Sequence, residues 1–342
     1  MILVTGGAGF IGSNLLEGLE RHGANDLIVA DRLGTDEKWR NIAKRDLNDI
    51  IAPEALTDWI GSHHGRLDCV FHLGAISATT ETDADLILAN NFHLSRHLWD
   101  VCTRYRIPLI YASSAATYGD GTAGFDDDAG RTALARLRPL NAYGWSKHLF
   151  DRWVARTVEA GRETPPHFAG LKFFNVYGPN EYHKGGQISV ALKNFREIDA
   201  GGPAVLFRSH NPDYGDGGQL RDFVWVGDCV DAMIWLSQTP AASGLFNLGT
   251  GKARSFADLA GAVFAALGKD PEIAFIDTPE AIRDKYQYFT QHGPAARRRV
   301  RQTLYQPGRR RGALCPGFSD RRRSLYLDHV HHCLSRHRPH CD

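Results

Sequence analysis

The chain has 342 residues, enough for about two ordinary domains, and is 43% apolar and 23% charged, so it can bury a sizeable core and is not a disordered polymer. Forty Lys and Arg against 39 Asp and Glu leave a net charge of +1, which gives no support to a general nucleic-acid or membrane-surface binder. No run of 18 apolar residues predicts a membrane span, no basic leader precedes Ile2-Leu3-Val4, and six cysteines without paired spacing make no disulfide scaffold, so the chain reads as a cytoplasmic α/β enzyme.

Strand-like and helix-like segments alternate over the first 175 residues. Ile2-Leu3-Val4 is a short apolar strand, and Ile11, Leu15, Leu16 and Leu19 follow at helical spacing with Gly23 as a stop. Leu27-Ile28-Val29-Ala30 is a second strand. Further strands are predicted at Cys69-Val70-Phe71-His72-Leu73, Pro108-Leu109-Ile110-Tyr111-Ala112 and Leu171-Lys172-Phe173-Phe174, with helical patterns over 86–104 and 143–159. This alternation argues for βαβ units and a parallel sheet covered on both faces. After Asn175, glycine clusters at 178, 185–186, 201–202 and 215–218 punctuate loops and short elements of a smaller lobe. Two later strand-like pieces, 221–226 and 245–249, are placed to return to the first sheet or to link the lobes.

Gly6-Gly7-Ala8-Gly9-Phe10-Ile11-Gly12 lies between a strand and a helix. Glycines there allow a tight turn and close approach of backbone to a pyrophosphate, which the helix N-terminus attracts. Asp31 closes the second strand 19 residues past Gly12, the spacing of an acid that binds an adenosine ribose. Such an acid favours the free 2′-hydroxyl of NAD, whereas the adjacent Arg32 and nearby Lys38 suit the 2′-phosphate of NADP. These residues leave both cofactors open, and Lys38 also reads as a solvated loop lysine.

Ser113-Ser114 stands at the C-terminal end of the strand Leu109 to Ala112, at the edge where open α/β sheets bind ligands. Tyr143 and Lys147 stand four apart on a helix and share a face. A nearby ammonium is expected to lower the tyrosine pKa, so that the phenol can exchange a proton with a substrate hydroxyl during hydride transfer. Ser114 is placed to hydrogen-bond the same oxygen.

With Thr5 through Gly12, Ser114 and Tyr143-x-x-x-Lys147, the sequence resembles the extended short-chain dehydrogenase/reductases that act on nucleotide sugars. Ala115-Ala116 follow Ser114, where dehydratases of this group carry an Asp-Glu pair. Tyr111 through Gly119, the stretch Phe174-Asn175-Val176-Tyr177-Gly178-Pro179-Asn180-Glu181-Tyr182-His183-Lys184-Gly185, Arg221-Asp222-Phe223-Val224 and Tyr286-Gln287-x-Phe289-Thr290-Gln291 are similar to the ADP-L-glycero-D-manno-heptose 6-epimerase family over residues 1–291.

The resemblance implies a doubly wound parallel sheet of Rossmann type with a smaller C-terminal α/β substrate lobe. It implies an NADP-binding domain at 1–175 with a returning segment at about 219–250, and a substrate lobe at 176–218 and 251–291. The implied activity is inversion of C6″ of ADP-D-glycero-D-manno-heptose by transient oxidation and hydride return, with tightly held NADP, in lipopolysaccharide heptose supply. Tyr143 and Lys184 would handle protons on the two faces, with Lys147 and Ser114 beside them. Cofactor contacts would come from Gly6, Gly9, Phe10, Ile11, Gly12, Asp31, Arg32, Lys38, Leu73, Gly74, Ala75, Ile76, Ser77, Asn90, Lys147 and Val176. Substrate contacts would come from Ser114, Asn175, Lys184, Gly186, Lys193, Phe207, Arg208, Ser209, His210, Arg221 and Tyr286. The implied assembly is a homopentamer, and no metal, nucleic acid or membrane partner is expected.

Five positions depart from the pattern or stay open. Leu73 stands where the family carries an acid, so any contact there is by backbone; Lys193 stands for His, and a basic contact near Ala55 has no counterpart. Lys184 also reads as a surface lysine, and Arg221 as the ion-pair partner of Asp222 or another acid rather than a diphosphate ligand. Alternatives for the whole chain are a UDP-sugar 4-epimerase or reductase and a cofactor-binding but inactive variant.

The final 51 residues are unlike the rest. From position 292 the chain carries 12 Arg, three Asp and neither Lys nor Glu, so the first 291 residues hold 28 basic against 36 acidic groups. That composition, with no apolar periodicity, is expected of an out-of-frame reading of a GC-rich gene. An anion-binding tail and a His/Cys metal site stand beside it, although the spacing matches no zinc pattern.

Overall fold

The computed structural model describes residues 1–280, apart from the side chain of Tyr182; the tail and Tyr286 lie outside the described residues. The chain opens with β1 (Ile2–Thr5), α1 (Phe10–Arg21), β2 (Leu27–Ala30), β3 (Asp49–Ile51), α2 (Leu56–His63) and β4 (Cys69–His72). Next come α3 (Ala84–Ile87), a single π-helical turn at Leu88–His93, α4 (Leu94–Arg104), β5 (Leu109–Ser114), α5 (Arg131–Leu134), α6 (Ala142–Glu159) and β6 (Phe168–Phe173). The rest comprises β7 (Asn175–Tyr177), α7 (Val190–Asp199), β8 (Ala204–Phe207), β9 (Leu220–Arg221), β10 (Phe223–Trp225), α8 (Val226–Ser237), β11 (Gly244–Leu248), β12 (Arg254–Ser255), α9 (Phe256–Leu267) and β13 (Ile273–Ile276).

Seven strands form one parallel sheet in the order β11-β6-β5-β4-β1-β2-β3. After β3 the chain crosses to the other side of β1, so a crevice opens beyond the C-terminal ends of β1 and β4. Ligands bind at such switch points. The central strands are continuous apolar runs because both faces are covered. On one face Leu15, Leu16 and Leu19 of α1 pack with Val230, Met233 and Ile234 of α8. On the other, α2, α4 and α6 supply Ile60, Trp99, Cys102, Phe150 and Val154. A separate core joins α7, β8 and α9 through Leu192, Phe195, Ile198, Leu206, Val263 and Phe264.

Two expectations are corrected. The region after Asn175 holds three regular helices, α7 to α9. Its glycine clusters lie before and between these helices rather than replace them: Leu192, Phe195 and Ile198 keep helical spacing between Ser189, which caps α7, and Gly201. The single strand expected at 221–226 is two short strands followed by the first residue of α8, because Asp222 turns from the ladder to accept the N–H groups of Thr250 and Gly251. Among the described residues, no helix is long and apolar enough to cross a membrane.

Candidate active site

The glycine turn closes on itself. Gly6 has φ +67°, and a Cβ there would lie 2.6 Å from the Gly74 nitrogen at the end of β4. A Cβ on Gly12 would lie 2.2 Å from the Gly6 carbonyl oxygen. Gly9 caps α1 with extended backbone and no side-chain bond, so the first N–H groups of the helix stay directed into the crevice. This cradle is shaped by the lack of side chains, and it fits a dinucleotide pyrophosphate.

Asp31 is turned toward the cradle. Its Oδ2 accepts the Ala8 N–H at 2.9 Å, and its Oδ1 accepts Lys38 Nζ at 2.6 Å. Lys38 therefore sits beside the acid rather than loose in solvent. Arg32 lies exposed, paired with Glu54 and reaching Asn90 Oδ1 at 3.4 Å. Asp31, Arg32, Lys38 and Asn90 thus gather at one rim. The Leu73 N–H donates to the Thr5 carbonyl while its side chain packs against the core, and the Gly74 N–H donates to the Thr5 hydroxyl. Ala75, Ile76 and Ser77 continue along the β4 end. Ile76 is clamped by the buried Asn91, whose Oδ1 accepts its N–H at 2.8 Å and whose Nδ2 donates to its carbonyl at 2.9 Å.

Asn91 was missed by sequence reasoning in favour of its neighbour Asn90, which bonds the Leu86 carbonyl of its own helix. Replacing Asn91 with Ala strands both backbone groups of Ile76. The expected loss is about 2–3 kcal/mol of unfolding free energy, read as a lowered denaturation midpoint with unchanged slope.

Tyr143 and Lys147 do share one face of α6, and Ser114 stands opposite at the end of β5. Asn141 caps the helix by accepting the Gly144 N–H, which fixes where its first turn lies. Lys147 is buried, and its Nζ donates to the Ala112 carbonyl at 2.8 Å; burial pulls its pKa down to about 8. The expectation that the ammonium holds the Tyr143 phenol below its ordinary value is corrected. Burial raises it, and the hydrogen bond with Ser114 offsets only part of that rise.

Lys184 is not a free surface lysine. It lies in the turn Tyr182–Gln187 with Nζ 5.1 Å from the centre of the Phe10 ring and 3.9 Å from the buried Glu181. Burial lowers its pKa, opposed by Glu181. Side chains of α1 and its neighbourhood staple this loop to the glycine turn. Asn14 Nδ2 donates to the Phe10 and Pro179 carbonyls, Asn180 Nδ2 to Ser13 Oγ, and Asn41 Nδ2 to the Ala8 carbonyl beside His183 Nδ1.

The remaining candidates spread over the lobe. Asn175 and Val176 lie on β7, with Asn175 exposed, and Gly186 lies in the Lys184 turn. Lys193 braces α7 to β8 by donating to the Val205 carbonyl, and its Nζ lies 5.9 Å from the Phe207 ring centre. Arg208 pairs with Asp216 and Asp277, Ser209 follows it, and His210 is exposed. Arg221 is buried over Phe256 and donates to the Leu220 carbonyl; Asp222 serves the loop at Thr250 and Gly251.

The model of the NAD dependent epimerase/dehydratase family matches residues 2–249. The chain belongs to that family. Within it, the chain is 51% identical to an ADP-L-glycero-D-manno-heptose-6-epimerase of Nitratidesulfovibrio vulgaris, over 85% of this chain and 88% of that one. The crystal structure of the Helicobacter pylori ADP-L-glycero-D-manno-heptose-6-epimerase superposes with a TM-score of 0.66 at 27% identity, over 85% of this chain and 91% of that one. MoeE5 in complex with UDP-glucose and NAD gives 0.71 at 25% identity over 98% of both chains. The chain is thus an epimerase, an enzyme of the isomerase class. Among the described residues of this epimerase, no group of His, Cys, Asp and Glu could hold a metal ion.

Proposed function

We propose that this epimerase inverts C6″ of ADP-D-glycero-D-manno-heptose through transient oxidation at that carbon, with NADP as its nicotinamide cofactor. The carrying observation is that Lys184 is held over Phe10 of the glycine turn on a different element from Tyr143. Two proton-handling groups therefore approach the cradle from α6 and from the loop after β7. Inversion by oxidation and hydride return needs acid–base groups that serve the oxygen in both of its orientations, whereas one-sided reduction needs to serve only one. The names of the similar enzymes support the substrate.

In this reading Gly6, Gly9, Gly12 and the first turn of α1 hold the pyrophosphate, with Phe10, Ile11, Gly74 to Ser77 and Val176 lining the crevice. Asp31, Arg32, Lys38 and Asn90 receive the adenosine ribose, and the two cations at that rim favour a 2′-phosphate. A nicotinamide cofactor held there would supply the hydride acceptor and donor for the reacting carbon. Tyr143 takes the proton of the C6″ hydroxyl, assisted by the charge of Lys147, while Ser114 orients that oxygen. Lys184 performs the matching proton exchange for the other orientation. Asn175, Gly186, Lys193, 207–210 and Arg221 form the nucleotide-sugar side, where a guanidinium suits a diphosphate. The setting is cytoplasmic supply of heptose for lipopolysaccharide, by a homopentamer.

The test incubates the purified enzyme with ADP-D-glycero-D-manno-heptose in deuterated water and follows C6″ by NMR, after identifying the released cofactor by chromatography. Inversion without deuterium at C6″ and with NADP released is expected. Deuterium at C6″, or inversion of UDP-glucose alone, overturns the reading. Lys184→Met is expected to lower kcat about 100-fold while leaving the dissociation constant of the cofactor within about twofold, measured by fluorescence titration.

A further inference from the structure

One buried charge pair lies directly behind the candidate active site. Asp151 continues the face of α6 that carries Tyr143 and Lys147, each four residues from the next. Its Oδ2 accepts Ser113 Oγ at 2.7 Å and lies 3.5 Å from Lys172 Nζ. Both side chains are fully buried, and Lys172 stands opposite Ser113 in the β5–β6 register. Lys172 Nζ also donates to Thr117 Oγ1 at 2.7 Å, and Thr117 Oγ1 donates to the Ser114 carbonyl at 2.8 Å. The pair is thereby tied to the residue before Ser114 and to the turn after it.

We propose that Asp151 and Lys172 are a positioning pair for Lys147: Lys172 holds Asp151 as a carboxylate, and that carboxylate is the counter-charge that keeps Lys147 protonated against the Ala112 carbonyl. The inference rests on the functional reading above, in which Lys147 acts as an ammonium. A stable core has little need of such a pair, because apolar residues of equal volume serve as well or better. Moreover, Asp151 Oδ1 has no hydrogen-bond partner among the described residues, so part of its negative potential is not spent on a local donor.

Among the described residues, the surrounding groups leave Lys147 with no other negative partner of comparable standing. From α6 come Tyr143 and His148, the latter pushed down to about 4 by burial and by Lys172, Arg152 and Arg138, and hence neutral. From β5 comes Tyr111, and from the turn after it Tyr118, both raised by burial and neutral. From β4 comes His72, pushed down to about 3. Asp127 bears on Lys172 and Tyr118 and accepts the Asn247 N–H. Burial pushes the Asp151 carboxyl up, and Lys172 is the leading influence holding it down. Asp151 in turn is the group that holds the Lys147 ammonium up against burial.

The test compares the wild type with Asp151→Asn, Lys172→Met, the double variant and Lys172→Arg. The readouts are the alkaline limb of kcat for epimerisation and, without substrate, the Lys147 titration by NMR of ε-carbon-labelled lysines, assigned with Lys147→Met. Each single charge loss is expected to move both readouts down by about one pH unit. The double variant is expected to move them no further, and Lys172→Arg to stay within about 0.3 unit of wild type. A purely structural pair changes stability and rate but leaves both midpoints in place. Unmoved midpoints, or single effects that add, overturn the inference. If the single variants fail to fold, the double variant, which removes both members of the pair together, decides. A wild-type protein that does not epimerise the heptose overturns the functional reading, while the Lys147 titration still decides the pair.

Discussion

Tyr143→Phe is expected to epimerise at about one-thousandth of the wild-type kcat, within the usual range for loss of a positioned acid–base group, with KM and cofactor binding little changed. The phenyl ring keeps its packing at the start of α6, and the loss is confined to one hydroxyl. That hydroxyl bonds with Ser114 at the end of β5, and Lys147 lies one helical turn further along. Because burial raises the phenol, proton abstraction from substrate depends on the positive charge of Lys147. That charge has its own limit. Burial brings Lys147 from the ordinary lysine value down to about 8, so the ammonium is present below that pH and lost as pH rises through it. Wild-type kcat should therefore decline above about pH 8, and initial-rate NMR across pH 6 to about 10 reads this directly. A Tyr143→Phe enzyme within tenfold of wild type would show that another group handles the proton.

Gly12→Ala is expected to weaken dinucleotide binding at least about 100-fold and to remove about 3 kcal/mol or more of stability. The added Cβ would stand 2.2 Å from the Gly6 carbonyl oxygen and 2.8 Å from the Gly7 Cα. Both are backbone atoms of the turn itself, so no rotamer relieves the clash. Either α1 slides away from β1 or the turn opens, and both spoil the row of N–H groups that faces the pyrophosphate. Gly23→Ala is the control. Its φ of +85° makes the substitution strained, but nothing lies within 4 Å of the new atom. It should lower stability by about 1–2 kcal/mol and leave cofactor affinity unchanged. Equal cofactor affinity for Gly12→Ala and wild type, by calorimetric titration, would remove the glycine turn from the binding site.

What the sequence disclosed and what it hid follow from how local each signal is. β2 is four buried apolar residues in a row, and it was legible in full. β3 is three residues, begins with Asp49 and is mostly exposed at the sheet edge, so no pattern announced it. The glycine turn, Tyr143 and Lys147 are short-range spacings on single elements, and the fold keeps them as spaced. Asn91 was hidden because the π-helical turn at Leu88–His93 adds a residue to the winding and rotates the inward face. An α-helical reading could not choose between Asn90 and Asn91. Asn41, Asp151 and Lys172 owe their roles to partners on other elements, and only the packed sheet and the stapled loop bring those together. The expected sign of the Tyr143 shift failed for the same reason. Spacing reveals a nearby ammonium but not the burial that outweighs it.

The packing of α8 on α1 has a consequence for how the molecule is made. A ribosome finishes the helix that ends at Arg21 more than 200 residues before it begins the one that starts at Val226. Leu15, Leu16 and Leu19 therefore wait for Val230, Met233 and Ile234 while most of the chain is still unsynthesised. At ordinary elongation rates that wait is about 10–40 seconds. For that interval the nascent chain carries a greasy, uncovered stripe beside an unfinished cofactor pocket, which is the kind of surface that chaperones near the exit tunnel bind.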